Sequence, residues 1–223
     1  MSAARKLVIA IDGPAGSGKS TVAARLAREL GYVNIESGAM YRALALKAIE
    51  CDASFDDERA LVALAADSQI ALEPTLTGNR VLLDGQDVSE RVREADVTEA
   101  ASRVSVHPAV REWMVERQRE LGARGGVVME GRDIGTKVFP GAEVKIFLDA
   151  DPSVRGERRF RQQGAAEKSE AVLKDLRERD QRDRSRAVSP LAPAADAVVI
   201  DSTRLGIDEV LARIHQVIAQ RRG

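Results

Sequence analysis

The chain has 223 residues, enough to bury a sizeable core in one elaborated domain or two small ones. Its composition is globular, 44% apolar and 31% charged, and a formal net charge of -1 argues against holding a long nucleic acid polymer, so any anion bound here is expected to be small. Cys51 is the only cysteine, which excludes an intramolecular disulfide and suits a reducing compartment; with His107 and His215 as the only histidines, a histidine-built metal site or a Ser-His-Asp triad is not expected.

The opening "MSAARKLVIAIDG" imitates a signal peptide, but its apolar run covers only residues 7–11 before Asp12 ends it, and no apolar stretch approaches a membrane span. The expectation is a soluble cytoplasmic protein with no membrane partner. Residues 7–11 read as a buried strand. Directly after it comes "GPAGSGKS", residues 13–20, which fits G-x-x-x-x-G-K-[ST] at every fixed position. Small residues let successive backbone N–H groups turn inward around phosphate oxygens at the positive end of the helix that follows. That helix is predicted over Lys19–Leu30, closed by Gly31. Gly13, Pro14, Ala15, Gly16, Ser17, Gly18, Lys19, Ser20 and Thr21 are therefore expected to bind ATP, with Lys19 at the terminal phosphates and Ser20 on a magnesium ion.

A weaker strand covers residues 32–35 and leads into "ESGAMYR", with Ser37, Tyr41 and Arg42. Residues 69–89 carry short strand-like runs and two hairpin signals, Thr77-Gly78-Asn79 and Asp84-Gly85, and read as a small antiparallel insertion. A helix is predicted over residues 108–121, closed by Gly122, with Trp113 and Met114 as packing residues and His107 as a turn residue. Strand 127–129 leads into "EGRD", with Arg132 and Asp133, and strand 144–148 follows. Residues 155–186 are rich in arginine and poor in large apolar side chains, so they are expected outside the core, as a surface or mobile helical arm. Strand 197–200 and helix 207–220 complete the chain. Alternation of strands and helices predicts an α/β fold with a parallel sheet covered on both faces.

In such sheets ligands bind beyond the carboxyl ends of the strands. Arg42 and Arg132 both fall there, and two arginines beside a phosphate loop point to an acceptor that is itself anionic. "ERDQRDRSR", residues 178–186, is open to two readings: a solvated helix face laced by i,i+4 pairs, or arginines that close on the transferring phosphoryl group. A phosphate acceptor, whose second ionisation lies near 6, needs no dedicated general base. The competing readings are a kinase of a small acid or sugar and a nucleotide-binding regulatory module without transfer activity.

"IDGPAGSGKS", "ESGAMYR", "EGRDIGTKVFP", "VKIFLDA" and "RERDQRDRSRAVSPLAPAADAVVIDST" together resemble the bacterial cytidylate kinases, nucleoside monophosphate kinases of the P-loop class. The resemblance implies transfer from ATP to CMP or dCMP by a monomer. It also implies a five-stranded parallel core (1–35, 103–150 and 187–223), a monophosphate-binding region with the insertion (36–102) and a lid with its arm (151–186). By position, Ser37, Arg42, Arg132, Arg179 and Arg186 match residues around the CMP phosphate, Asp183 a ribose-binding carboxylate, and Ser102, Arg111 and Asp133 the cytosine readers. Tyr41 joins the expected substrate residues, and Lys19, Arg132, Arg158 and Arg179 are the expected catalytic set. Arg155 and Arg159 fall with Arg158 in the lid stretch, whose residues 164–168 do not match the family residue by residue. Glu130 stands where the family often has Asp, and no role is carried onto it.

Overall fold

A computed structural model describes residues 6–75, 78–162, 169–186 and 188–222. In chain order its regular elements are β1 (Val8–Asp12), α1 (Lys19–Leu30), β2 (Val33–Glu36), α2 (Ser37–Glu50), α3 (Glu58–Asp67), β3 (Ile70–Pro74), β4 (Asn79–Leu83), β5 (Gln86–Asp87), α4 (Ala95–Val104), α5 (Pro108–Gly122), β6 (Val127–Gly131), β7 (Val144–Asp149), α6 (Pro152–Gln162), α7 (Ser169–Ser185), β8 (Val198–Asp201) and α8 (Ile207–Arg222). Five strands form a parallel sheet in the order β2-β6-β1-β7-β8. The predicted strands are all present.

Alternation along the central strand builds a core on each side of it. Ile9 and Ile11 join Val128, Ile146 and Leu148 against α1 and α8, while Ala10 joins Val127, Met129 and Ile134 with Val115 of α5. Helix α1 ends as expected at Gly31, whose positive φ of 64° lets its N–H return to Ala27 and Arg28. Strand β6 runs two residues beyond the expected end, because Glu130 and Gly131 stay paired with Ile11 and Asp12. The charge of Glu130 had marked the end of the apolar run, yet the residue is buried.

The insertion is a three-stranded antiparallel sheet, β3-β4-β5. Asp84 and Gly85, with φ of 51° and 81°, make the two-residue turn between β4 and β5; Thr77 of the other turn signal lies outside the described residues. This sheet packs with α2, α3 and α4 around a separate core that includes Met40, Leu44, Leu61 and Val104. Met114 belongs to that core, Trp113 packs on its margin, and His107 precedes α5 with Nε2 at 2.7 Å from the Phe55 carbonyl.

The arm is helical and mostly exposed or half-buried, as expected, but Arg155, Leu176 and Asp183 are buried where α6 and α7 pack together, the two charged residues in ion pairs. Residues 164–168 lie outside the described set. Among the described residues, no helix is long and apolar enough to cross a membrane.

Candidate active site

The loop after β1 can wrap tightly only because of its glycines. At Gly13, with φ of 148°, a Cβ would fall 2.0 Å from the Leu148 carbonyl oxygen; at Gly16, with φ of 76°, it would fall 2.8 Å from that of Arg155. Lys19 folds back over the loop, its Nζ donating to the Pro14 carbonyl at 2.6 Å and to Ser17 Oγ at 3.3 Å. Burial, reinforced by the positive charge of Arg132, lowers its pKa to about 7. Ser20 Oγ donates to Glu130 Oε1 at 2.8 Å, and burial raises the pKa of Glu130 against the pull of Lys19.

In front of this loop lies a cleft of about 190 Å³. Its walls hold the Ala15, Gly16, Gly18, Lys19, Ser20 and Thr21 part of the loop, Ser37, Tyr41 and Arg42 from α2, Arg111 from α5, Arg132 and Asp133 beyond β6, and Arg179, Asp183 and Arg186 from the arm. Ser37 Oγ donates to the Glu130 carbonyl at 2.8 Å, and Arg42 pairs with Glu36 at 2.5 Å. Residues 13, 14 and 17 shape the loop without lining the cleft.

Ser102 and Arg158 also stand outside it. Ser102 is buried, its hydroxyl without a hydrogen-bond partner, on an adjoining cleft of about 410 Å³ between α4 and α7. Arg158 lies behind the phosphate loop, donating to Ser202 Oγ at 3.0 Å and the Ser202 carbonyl at 2.8 Å, whereas neighbouring Arg159 lines the cleft. Arg155 binds the Ala15 carbonyl at 3.1 Å and Asp180 at 2.6 Å, tying the loop to α7.

Most of the arginines are already matched with carboxylates. Arg111 meets Asp133 at 2.5 Å, both side chains almost fully buried. Asp183 takes Arg132 at 2.8 Å on one oxygen and Arg186 on the other, while Arg186 also donates to Ser105 Oγ at 2.8 Å. Burial works against the ionised form of Asp183, but these guanidiniums hold its pKa down to about 2. Arg179 makes no ion pair among the described residues; burial and the nearby Arg132 lower its pKa to about 9, and its Nε, like those of Arg42, Arg111 and Arg186, has no hydrogen-bond partner. It is a guanidinium placed where an arriving anion would relieve it.

Four contributors were not read from the sequence: Asp12, Glu130, Ser105 and Asn79. Asn79 Oδ1 accepts the Glu36 N–H and its Nδ2 donates to the Asn34 carbonyl, each at 2.8 Å, pinning the inserted sheet to the end of β2. The one available signal was position, since Asp12 and Glu130 interrupt or follow apolar strand runs at the carboxyl ends where ligands collect.

A family model described as cytidylate kinase matches residues 9–220. The chain belongs to the cytidylate kinase family. A cytidylate kinase of Geobacillus kaustophilus is 48% identical over 222 residues, covering 98% of this chain and 99% of the relative. Cytidylate kinases of Anoxybacillus flavithermus and Enterococcus faecalis are 50% and 49% identical, covering 97% of this chain and 98% and 97% of their own. The cytidylate kinase fold here is also similar to a solved shikimate kinase from Bacteroides thetaiotaomicron, at TM-score 0.50 and 12% identity, covering 96% of this chain and 98% of that one; this likeness concerns the fold alone.

Proposed function

We propose that the protein transfers the γ-phosphoryl group of ATP to CMP or dCMP, giving ADP and CDP or dCDP. The observation that carries this reading is that one cleft holds both the phosphate loop and the buried Arg111–Asp133 pair, bridged by Arg132 and Arg179. A nucleoside monophosphate and a triphosphate repel each other, and the guanidiniums mask that repulsion while holding the phosphates in line. Lys19 and the loop amides stabilise the charge that spreads over the transferring group. A monophosphate oxygen attacks the γ-phosphorus, the bond to the bridging oxygen of ADP breaks, and no residue is needed to remove a proton from an acceptor that is already ionised.

Asp133 accepts from the amine of cytosine, where uracil would present a carbonyl to the same carboxylate. Arg111 orients it, and Ser102 reaches the base from the adjoining cleft. Ser37, Tyr41, Arg42 and Arg186 surround the acceptor, and Asp183 is placed for its ribose. Arg158 would have to exchange Ser202 for a phosphate to act in transfer; we assign it to holding the residue-202 loop against the phosphate loop. Magnesium fits beside the loop, because Ser20 and Glu130 offer the hard oxygen donors it prefers. These two residues would hold it, and when bound it would neutralise charge on the phosphates. We further propose that residues 36–102 act as the monophosphate-binding region, and that the enzyme works as a cytoplasmic monomer.

The test is an acceptor panel with purified protein, ATP and magnesium. ADP release with CMP or dCMP is expected far above that with AMP, GMP or UMP; equal rates defeat the cytosine claim, and turnover confined to shikimate or gluconate defeats the nucleotide claim.

A further inference from the structure

Asp12 is the last residue of the central strand, in register with Gly131 on one side and Phe147 on the other. The next residue opens the phosphate loop. Its side chain is buried and does not line the cleft, so it cannot touch a substrate held there. A carboxylate withdrawn from water needs partners, and this one has two. Oδ1 accepts the N–H of Ile134 at 2.8 Å and Oδ2 that of Gly135 at 2.7 Å.

Those amides begin the π-helical turn Ile134–Val138, so they belong to the donors that a helical turn cannot satisfy by itself. The residue just before the turn is Asp133, and the one before that is Arg132. A Cβ at Gly135 would stand 3.3 Å from Asp12 Oδ2 and 3.3 Å from Lys145 Cδ, so a larger residue would crowd the contact between the carboxyl group and the turn. Burial raises the pKa of Asp12 to about 7 despite both amides, which means that the fold keeps an unfavourable charge site at this position.

We infer that Asp12 is a positioning residue for phosphoryl transfer, its carboxylate fixing the loop that carries Arg132 and Asp133 in register with the phosphate loop. The inference rests on the function proposed above and adds a residue to it. From this loop Arg132 reaches Asp183 and Asp133 reaches Arg111, so a tilt of the loop moves the phosphate-binding and base-reading groups together. Displacements of about 1 Å at reacting groups can cost about 100-fold in rate.

Asp12→Asn keeps the shape but offers one acceptor oxygen, so one of the two amides loses its partner. Measured with CMP and with UMP well below the melting temperature, it is expected to raise the KM for CMP and lower the preference for CMP over UMP, each by about 10- to 100-fold. The KM for ATP should change less than that for CMP, because the Asp12 side chain reaches the phosphate loop only through its charge near Lys19 and places its hydrogen bonds on the other loop. Gly135→Ala, which keeps the carboxyl group but crowds its Oδ2 against the turn by a few tenths of an ångström, should move the same two quantities in the same direction by less. It carries the test alone if Asp12→Asn does not fold. A wild-type KM for CMP and CMP-to-UMP preference in the folded variants, with only a lower melting temperature, would show a purely structural role and overturn the inference. Wild-type protein inactive on CMP overturns the proposed function instead.

Discussion

Arg132 Nε donates to Asp183 Oδ2 at 2.8 Å, joining the end of β6 to the arm across the mouth of the cleft. Arg186 engages the other oxygen of the same carboxylate. Asp183→Asn should therefore release two guanidiniums at once, raising the KM for CMP and lowering kcat. The wild-type carboxylate, held at about 2 against an ordinary value near 3.8, contributes about 2 kcal/mol at neutral pH. A depressed acid gives stability that is present above pH 4 and lost as pH falls toward 2. Acid unfolding followed by circular dichroism should show that loss in the wild type and a flatter profile in Asp183→Asn.

Lys19 gives a slope of the same sign at higher pH, but as a cost that fades rather than a gain that is lost. With its pKa lowered to about 7, the empty protein holds fewer protons than the unfolded chain between pH 7 and 10.5, so this group makes stability rise with pH across that window. Nucleotide phosphates restore the ammonium, and ATP binding at pH 8 should take up about one proton per site. Calorimetry in buffers of different ionisation enthalpy measures it. Lys19→Ala should abolish the uptake and reduce turnover by at least about 100-fold.

Asp133→Asn should lower the preference for CMP over UMP by about 10- to 100-fold while leaving the KM for ATP unchanged. Asp133→Ala should also destabilise the protein by about 3 to 5 kcal/mol, because Arg111 is buried and would lose its partner. Steady-state kinetics and thermal melting separate the two effects. Loss of ATP affinity in parallel would leave Asp133 only as the structural counterion of Arg111.

Asn79→Ala should strip partners from two backbone groups, the Asn34 carbonyl and the Glu36 N–H, at a cost of about 1 to 3 kcal/mol. Hydrogen exchange should then accelerate across Asn79–Leu83 and leave Val127–Gly131 protected. Uniform acceleration would show that the amide side chain supports the whole fold rather than the seat of the insertion.

The parts legible in the sequence are those whose physics is local. The phosphate loop announces itself by spacing, the strands by short apolar runs, and the β4–β5 turn by Asp84-Gly85. Helix α2 was not read because alanines and leucines are buried around much of its circumference, from Ala39 and Met40 to Leu46 and Ala48, which erases an amphipathic period. Asp12 and Glu130 were passed over for another reason. Each is a charged residue whose burial depends on a partner more than 100 positions away, Ile134 in one case and Ser20 in the other. The arm was placed outside because arginine usually means solvent; Arg155 and Asp183 are inside because Asp180, Arg132 and Arg186 meet them there.

Arg42, Arg111, Arg132 and Arg186 share only three carboxylates, Glu36, Asp133 and Asp183, so the cleft keeps a positive excess in a chain of net charge -1. That excess acts within a Debye length of about 10 Å, so nucleotides are drawn in at the mouth of the cleft rather than steered from afar. Phosphate oxygens then displace carboxylates from guanidiniums. Association rates should accordingly fall with added salt, and discrimination between ligands should reside in how fast they leave.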